Sequence, residues 1–256
     1  MTRIVGTRLV STPCCNAVFA MPAYGSINFS AQEFWTDGPT FQSLFNNDGG
    51  LRRCTCGAYY RLSETEDVEM IPKPRPSPPQ GWEEEADSWL WKLKSKPSRA
   101  VILSSYDTRA VEVINAEEQK TSNRTIHVKD TELQAALDGP PVNIEVELII
   151  RRRLWQFLND AYREIYRKHK ADLLENQPDF EPTKLEIDNM LRMVVMVEDS
   201  KNPTHLELAE LHRQLGDAAQ SRAAIVRAGK SAGKLGQTIG MRLDLGIRGP
   251  ARYRLN

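Results

Sequence analysis

Every cysteine of the chain lies in one of two tight pairs near the N-terminus, Cys14-Cys15 and Cys54-Thr55-Cys56. Four thiols gathered from two short segments match the demand of a tetrahedral zinc ion, which takes four soft ligands and fixes the loops that carry them. In a strand, residues two apart face the same way, so Cys54 and Cys56 can present both thiolates to one ion. Gly57 follows directly, where a left-handed backbone lets N–H groups approach the sulfurs. Cys14 and Cys15 are adjacent and would point to opposite faces of a strand. They can share an ion only if the chain turns sharply between Pro13 and Asn16, residue types that favour such a turn.

The expected ligands are therefore Cys14, Cys15, Cys54 and Cys56 around one structural Zn2+. Three alternatives stay open at this point. One of Cys14 and Cys15 is a packed core thiol and a histidine or water completes the shell; the group is an iron–sulfur or redox dithiol centre; or the thiols are buried and inert. The segment between the arms, Asn16 to Arg53, carries Tyr24, Phe29, Phe34 and Trp35, which are expected to complete a small core rather than to form a binding surface.

Other chemical signals are weak. His127, His169, His205 and His212 are scattered, and no pair has the helical spacing of a catalytic zinc site. Residues Ala224 to Ser231 fit a permissive phosphate-loop pattern ending in Gly229-Lys230-Ser231. That chemistry needs a strand before the loop, whereas the preceding segment has helical periodicity, so a helix ending at Gly229 is expected. Glu83-Glu84-Glu85 reads as a solvated helix start. No nucleophile elbow is present, and a non-enzymatic protein is expected.

The elements that must position the cysteines are β-rich. Arg3 to Val10 and Ala58 to Leu62 read as strands, and Asn46 to Gly50 is a turn signal that delivers Leu51 to Arg53 into the second pair. Pro72, Pro74, Pro76, Pro78 and Pro79 then predict an extended spacer. Trp82, Trp89 and Trp91 lie in a helix candidate stopped by Pro97, Val101-Ile102-Leu103 fits strand or helix, and Asp138 to Pro141 is a break. Beyond it, an apolar stripe predicts a helix from Glu145 to about His169, with Arg151, Arg152, Arg163, Arg167 and Lys168 on other faces. Further helices fit Pro182 to Glu198 (Leu185, Met190, Leu191, Val194 and Val195 inward), Thr204 to Leu215 and Ala218 to Ala228. The basic C-terminal stretch has Lys230, Lys234, Arg242, Arg248, Arg252 and Arg254 against Asp244, and reads as a solvated, poorly ordered end.

The fold class is thus α+β: a small β-rich, zinc-ribbon-like module at 1–70, a proline-rich linker at 71–81, an intermediate region at 82–141, a helical repeat-like domain at 142–229 and a basic, glycine-containing tail at 230–256. A chain of 256 residues has room for these parts. Lys plus Arg equals Asp plus Glu at 34 each, so any affinity for nucleic acid or an anionic surface must come from a local patch. Arg8 interrupts the N-terminal apolar run, and no stretch approaches the ~20 apolar residues of a membrane span. A cytoplasmic setting is expected, where paired cysteines serve as ligands or redox groups rather than structural disulfides.

Leu208-Ala209, Leu215-Gly216-Asp217, Ile225 and Ala228 resemble the large and small positions of a tetratricopeptide helix pair, departing from it at His212 and Ser221. Together with the cysteine arms, the chain resembles uncharacterised bacterial proteins that place a cysteine-pair zinc ribbon before a helical, tetratricopeptide-like region. The resemblance implies an adaptor or regulatory protein that binds a protein partner. The alternatives are a nucleic-acid-binding protein using Arg52, Arg53, Arg61 and the basic tail, and a thiol redox or iron–sulfur protein.

Overall fold

The computed structural model describes residues 3–26, 31–38, 40–42, 49–72, 126–168 and 179–253. The readings of the proline-rich spacer beyond Pro72, of the acidic run, of Trp82, Trp89 and Trp91, of Val101 to Leu103 and of His169 lie outside them. The architecture is mixed, with small antiparallel sheets in the N-terminal region and helices in the C-terminal region. The chain divides into two compact units. The first comprises Met1–Asn28, Cys54–Gly57 and Glu64–Ile126; the second comprises Phe29–Arg53, Ala58–Ser63 and His127–Asn256.

In the first unit, β1 (Arg3–Ser11) runs antiparallel to β2 (Val18–Ser26) on one side and to β7 (Glu66–Pro72) on the other. Val10 faces Phe19 across the ladder. Both are buried, while Arg8 on β1 is exposed and pairs with Asp67 at 2.6 Å. Arg8 and Val10 are two residues apart, and the irregularity of the β1–β7 ladder between Leu9 and Val10 separates them.

The second unit begins with β3 (Ala31–Trp35) and β4 (Thr40–Gln42), followed by the hairpin of β5 (Leu51–Arg53) and β6 (Tyr59–Arg61). Gly49 and Gly50 take left-handed φ of +61° and +73° where the expected turn enters β5. After β8 (Ile126–His127) come α1 (Leu133–Asp138) and α2 (Ile144–Leu158). The Asn143 side chain caps α2 by accepting from the Val146 N–H at 2.8 Å. Leu51, Leu133, Val146, Ile150 and Leu154 form one apolar cluster of this unit.

The single helix expected from Glu145 to His169 is interrupted at Asn159, and α3 (Asp160–Lys168) continues beyond it. The buried Asn159 amide donates to the Asp37 carboxylate at 2.8 Å, and the Arg163 guanidinium donates to the Gln156 carbonyl, the acceptor four residues before Asp160. α4 (Lys184–Glu198) starts with a capping box between Thr183 and Glu186. α5 (His205–Leu215) ends at Gly216, whose φ of +85° turns the chain into α6 (Ala218–Ala228). Trp155 of α2, Met190, Met193 and Val197 of α4, Leu208 and Leu211 of α5 and Ala224 of α6 share the second apolar cluster.

Three expectations need correction. Leu185, Leu191 and Val195 are 45%, 50% and 48% exposed, because the buried face of α4 is the neighbouring stripe Met190–Met193–Val194–Val197. Arg163, expected off the apolar stripe, is buried against Asp37, and Arg151, expected there too, pairs with Glu147 at 2.7 Å. The C-terminal stretch is ordered, forming α7 (Gly233–Asp244) and β9 (Arg252–Tyr253), which pairs with β3. Arg213 explains that order. Buried and paired with Glu210 at 2.6 Å, it also donates to the carbonyls of Ile247 and Gly249.

Candidate metal centre

The β1–β2 turn brings the first cysteine pair into play. Thr12 and Ala17 close the turn, with Thr12 N–H donating to the Ala17 carbonyl at 2.9 Å and Ala17 N–H donating to Thr12 Oγ1 at 3.1 Å. Asn16 takes φ +54° inside it, alone among the described non-glycine residues in that region. A single residue in this conformation reverses the chain within one step. The opposite-face problem of adjacent cysteines therefore disappears, because Cys14 and Cys15 sit on a turn and not on a strand.

The second pair occupies the turn between β5 and β6. Gly57 N–H donates to the Cys54 carbonyl at 2.9 Å with Gly57 at φ +92°, and the backbone N–H of Cys56 bonds to the Cys54 thiol. All four sulfurs belong to the first unit and lie within 4.8 Å of one another. Cys15 is 3.4 Å from Cys54, Cys56 is 3.5 Å from Cys14, and Cys14 is 4.0 Å from Cys15, sulfur to sulfur. All four thiols are free; none is in a disulfide.

These separations fit a metal. Metal–sulfur bonds of ~2.3 Å in a tetrahedron set the sulfurs about 3.8 Å apart. The four cysteines could hold one ion if the shorter edges open by tenths of an ångström and the widest closes by up to about 1 Å. Among the described residues no histidine enters the group, and neither Cys14 nor Cys15 is a packed core thiol, since both are exposed.

The electrostatics of the thiols point the same way. Burial resists ionisation of Cys54, but the Cys56 N–H and hydrogen bonds from Cys14, Cys15 and Thr12 outweigh it and bring the thiol down to about 6. Cys14 is pushed up to about 12 by desolvation and by its bonds to the other three sulfurs, which Thr12 opposes. Negative charge on one sulfur keeps the proton on its neighbour. Only a cation among them makes four thiolates compatible.

Sequence reasoning missed Thr12. It is 1% exposed, and its hydroxyl lies 3.7 Å from the Cys15 sulfur and 3.8 Å from that of Cys54. It thus joins the two arms while holding the turn. The signal was present in Ser11-Thr12-Pro13, a hydroxyl residue directly before a proline turn.

The remaining sequence signals take structural places. Ala224 to Ala228 is the end of α6 and Gly229 follows it, so no strand precedes the glycine. His212 is buried and His127 exposed. Trp35 is buried, as expected for a core aromatic, whereas Tyr24 is 42% exposed. Arg52 is buried, with its guanidinium on the Leu51 carbonyl at 2.7 Å, and Arg61 pairs with Glu145 at 2.7 Å. Arg242 of the basic stretch is buried, and Arg248 donates to the Gln214 carbonyl at 2.9 Å.

The second unit has an open pocket of about 490 Å3, lined by Asp37, Ile149, Arg152, Trp155, Thr204 and Glu207 among others. Its charges answer one another. Arg152 grips Glu207 through two bonds of 2.5 and 2.9 Å, Arg153 pairs with Asp130, and Asp37 pairs with Arg163. Burial raises the Asp37 carboxyl, Arg163 and Asn159 oppose the rise, and Glu210 adds to it. Trp155 commits its indole N–H to Gln214 at 2.8 Å. Among the described residues, no helix is long and apolar enough to cross a membrane. Comparisons with protein-family models, with curated proteins and with solved structures return no match.

Proposed function

We propose that the protein is a non-enzymatic adaptor or regulatory protein of the cytoplasm. One structural zinc ion held by Cys14, Cys15, Cys54 and Cys56 fixes its two N-terminal turns, and its helical surface binds a protein partner. The observation that carries the zinc reading is the convergence of four free sulfurs within 4.8 Å. Zinc, when bound, supplies a redox-inert crosslink between the turns. A reducing compartment suits four unpaired thiols.

Two features support a helical binding surface. The α5–α6 hairpin has the small residues and left-handed glycine of a tetratricopeptide unit, and Ser221 there donates to the Ala209 carbonyl at 2.8 Å where alanine is usual. Leu191 and Val195, one turn apart on α4, leave apolar surface uncovered. The nucleic-acid reading has less support, because Arg61 is paired with Glu145 and both Arg52 and Arg242 are buried.

Protein purified without oxygen should carry about one zinc per chain by elemental analysis. A metal-free protein with an intact N-terminal fold would refute the zinc reading. Leu191→Asp combined with Val195→Asp should abolish recovery of the partner while leaving zinc content and melting temperature unchanged. Co-purifying nucleic acid that leaves with rising salt would replace the adaptor reading with the nucleic-acid one.

A further inference from the structure

Three of the four clustered cysteines, Cys14, Cys15 and Cys56, are exposed, and only Cys54 is buried. An ion held there sits at the protein surface, within reach of small solutes. Two close sulfur separations run between the arms: Cys15 to Cys54 at 3.4 Å and Cys14 to Cys56 at 3.5 Å. The neighbours within the first arm, Cys14 and Cys15, are farther apart at 4.0 Å. A disulfide has its sulfurs ~2.05 Å apart, so each inter-arm pair needs an approach of only about 1.4 Å.

Resting on the zinc reading above, we infer that the centre is a redox-controlled metal store. Peroxide converts its thiolates into two inter-arm disulfides, Cys15–Cys54 and Cys14–Cys56, and expels the ion. In each pair one thiolate attacks a peroxide oxygen, breaking the O–O bond to give a sulfenic acid and hydroxide. The partner thiolate then attacks that sulfur and displaces a second hydroxide. Two hydrogen peroxide molecules take up the four electrons of four thiolates. The products are two disulfides, four hydroxides and one free Zn2+. The crosslinks join the same two turns that the ion joined, so the metal leaves without releasing the arms.

The test is titration of the zinc-loaded full chain with hydrogen peroxide, following released zinc with a chromogenic chelator and mapping unreduced tryptic peptides. Cleavage leaves Cys14 and Cys15 in residues 9–52 and Cys54 and Cys56 in residues 54–61. The expected result is complete release at about two peroxide equivalents. The two peptides should be covalently joined, the melting temperature should stay near that of the zinc form, and a dithiol with added zinc should reverse the change. Unjoined peptides, retained metal or irreversible over-oxidation would each overturn the inference. A chain isolated without metal refutes the zinc reading and the release step with it. The peptide map of that metal-free chain still shows whether peroxide joins the two arms, so the two failures remain distinct.

Discussion

Replacing Arg163 by Met isolates the energetics of the buried polar network in the second unit. The Arg163 side chain is 1% exposed and that of Asp37 0% exposed, so neither charge is relieved by solvent. Methionine keeps an unbranched apolar stem, and what disappears is the cation with its bonds to Asp37, Asp160 and the Gln156 carbonyl. Asp37 would keep the Asn159 amide at 2.8 Å but lose its opposite charge. Removing one member of a buried pair costs about 3–5 kcal/mol, because the remaining charge is left uncompensated. A substantial part of a typical domain's stability of about 5–15 kcal/mol is then at risk.

The pH dependence carries the sharper test. In the native chain burial already raises the Asp37 carboxyl, and Arg163 is the largest influence opposing the rise. Without Arg163 it rises further. A group with a raised folded pKa favours folding fully below its unfolded value, and that contribution is lost as pH climbs through the folded value. The deficit of Arg163→Met should thus grow as pH rises through the raised folded value of Asp37 and shrink as pH falls below it. Adding Asp37→Asn should recover most of the loss at neutral pH and abolish the pH dependence of the deficit. Urea unfolding followed by circular dichroism measures both. A deficit under about 1 kcal/mol at neutral pH, the range of an exposed pair, would refute the reasoning, as would a deficit indifferent to pH.

Leu211→Ala, at a position with no exposure, should cost about 2–5 kcal/mol by the same unfolding assay, whereas Leu191→Ala, half exposed on α4, should stay within about 0.5 kcal/mol. Similar losses at both positions would mean that α4 buries a different face. Deleting 247–256 removes the carbonyls of Ile247 and Gly249 from Arg213 and the Ala251 N–H from Thr36, and should lower the melting temperature sharply.

What was legible in the sequence was local. Each cysteine arm spans at most three residues, so the chain brings its own sulfurs close and only two turns must meet. The helices at Thr204–Leu215 and Ala218–Ala228 could be bounded from Thr204, Gly216, Asp217 and Gly229 because caps act within one turn of the chain. The face of α4 was harder. Met190, Leu191, Met193, Val194 and Val195 are all apolar, so periodicity admits two neighbouring stripes, and tertiary packing chose the methionine one.

The buried charges were illegible for a different reason. Asp37 and Arg163 are 126 residues apart, and Thr36 and Glu210 are 174 apart, so no local pattern marks them as partners. An arginine on the polar side of an amphipathic stripe is normally solvated, and Arg163 and Arg213 violate that rule together. Each violation is matched by a carboxylate and by backbone carbonyls: Gln156 for Arg163, Ile247 and Gly249 for Arg213. A hydrophobic pair could have filled the same volume, often with equal or greater stability. What an arginine adds is direction: its planar donor fork accepts partners only in set positions. Arg213 therefore fixes where residues 247–249 run, and with them the register of β9 on β3. The basic C-terminal stretch that composition reads as a free cationic tail is held in place by an arginine that composition reads as surface.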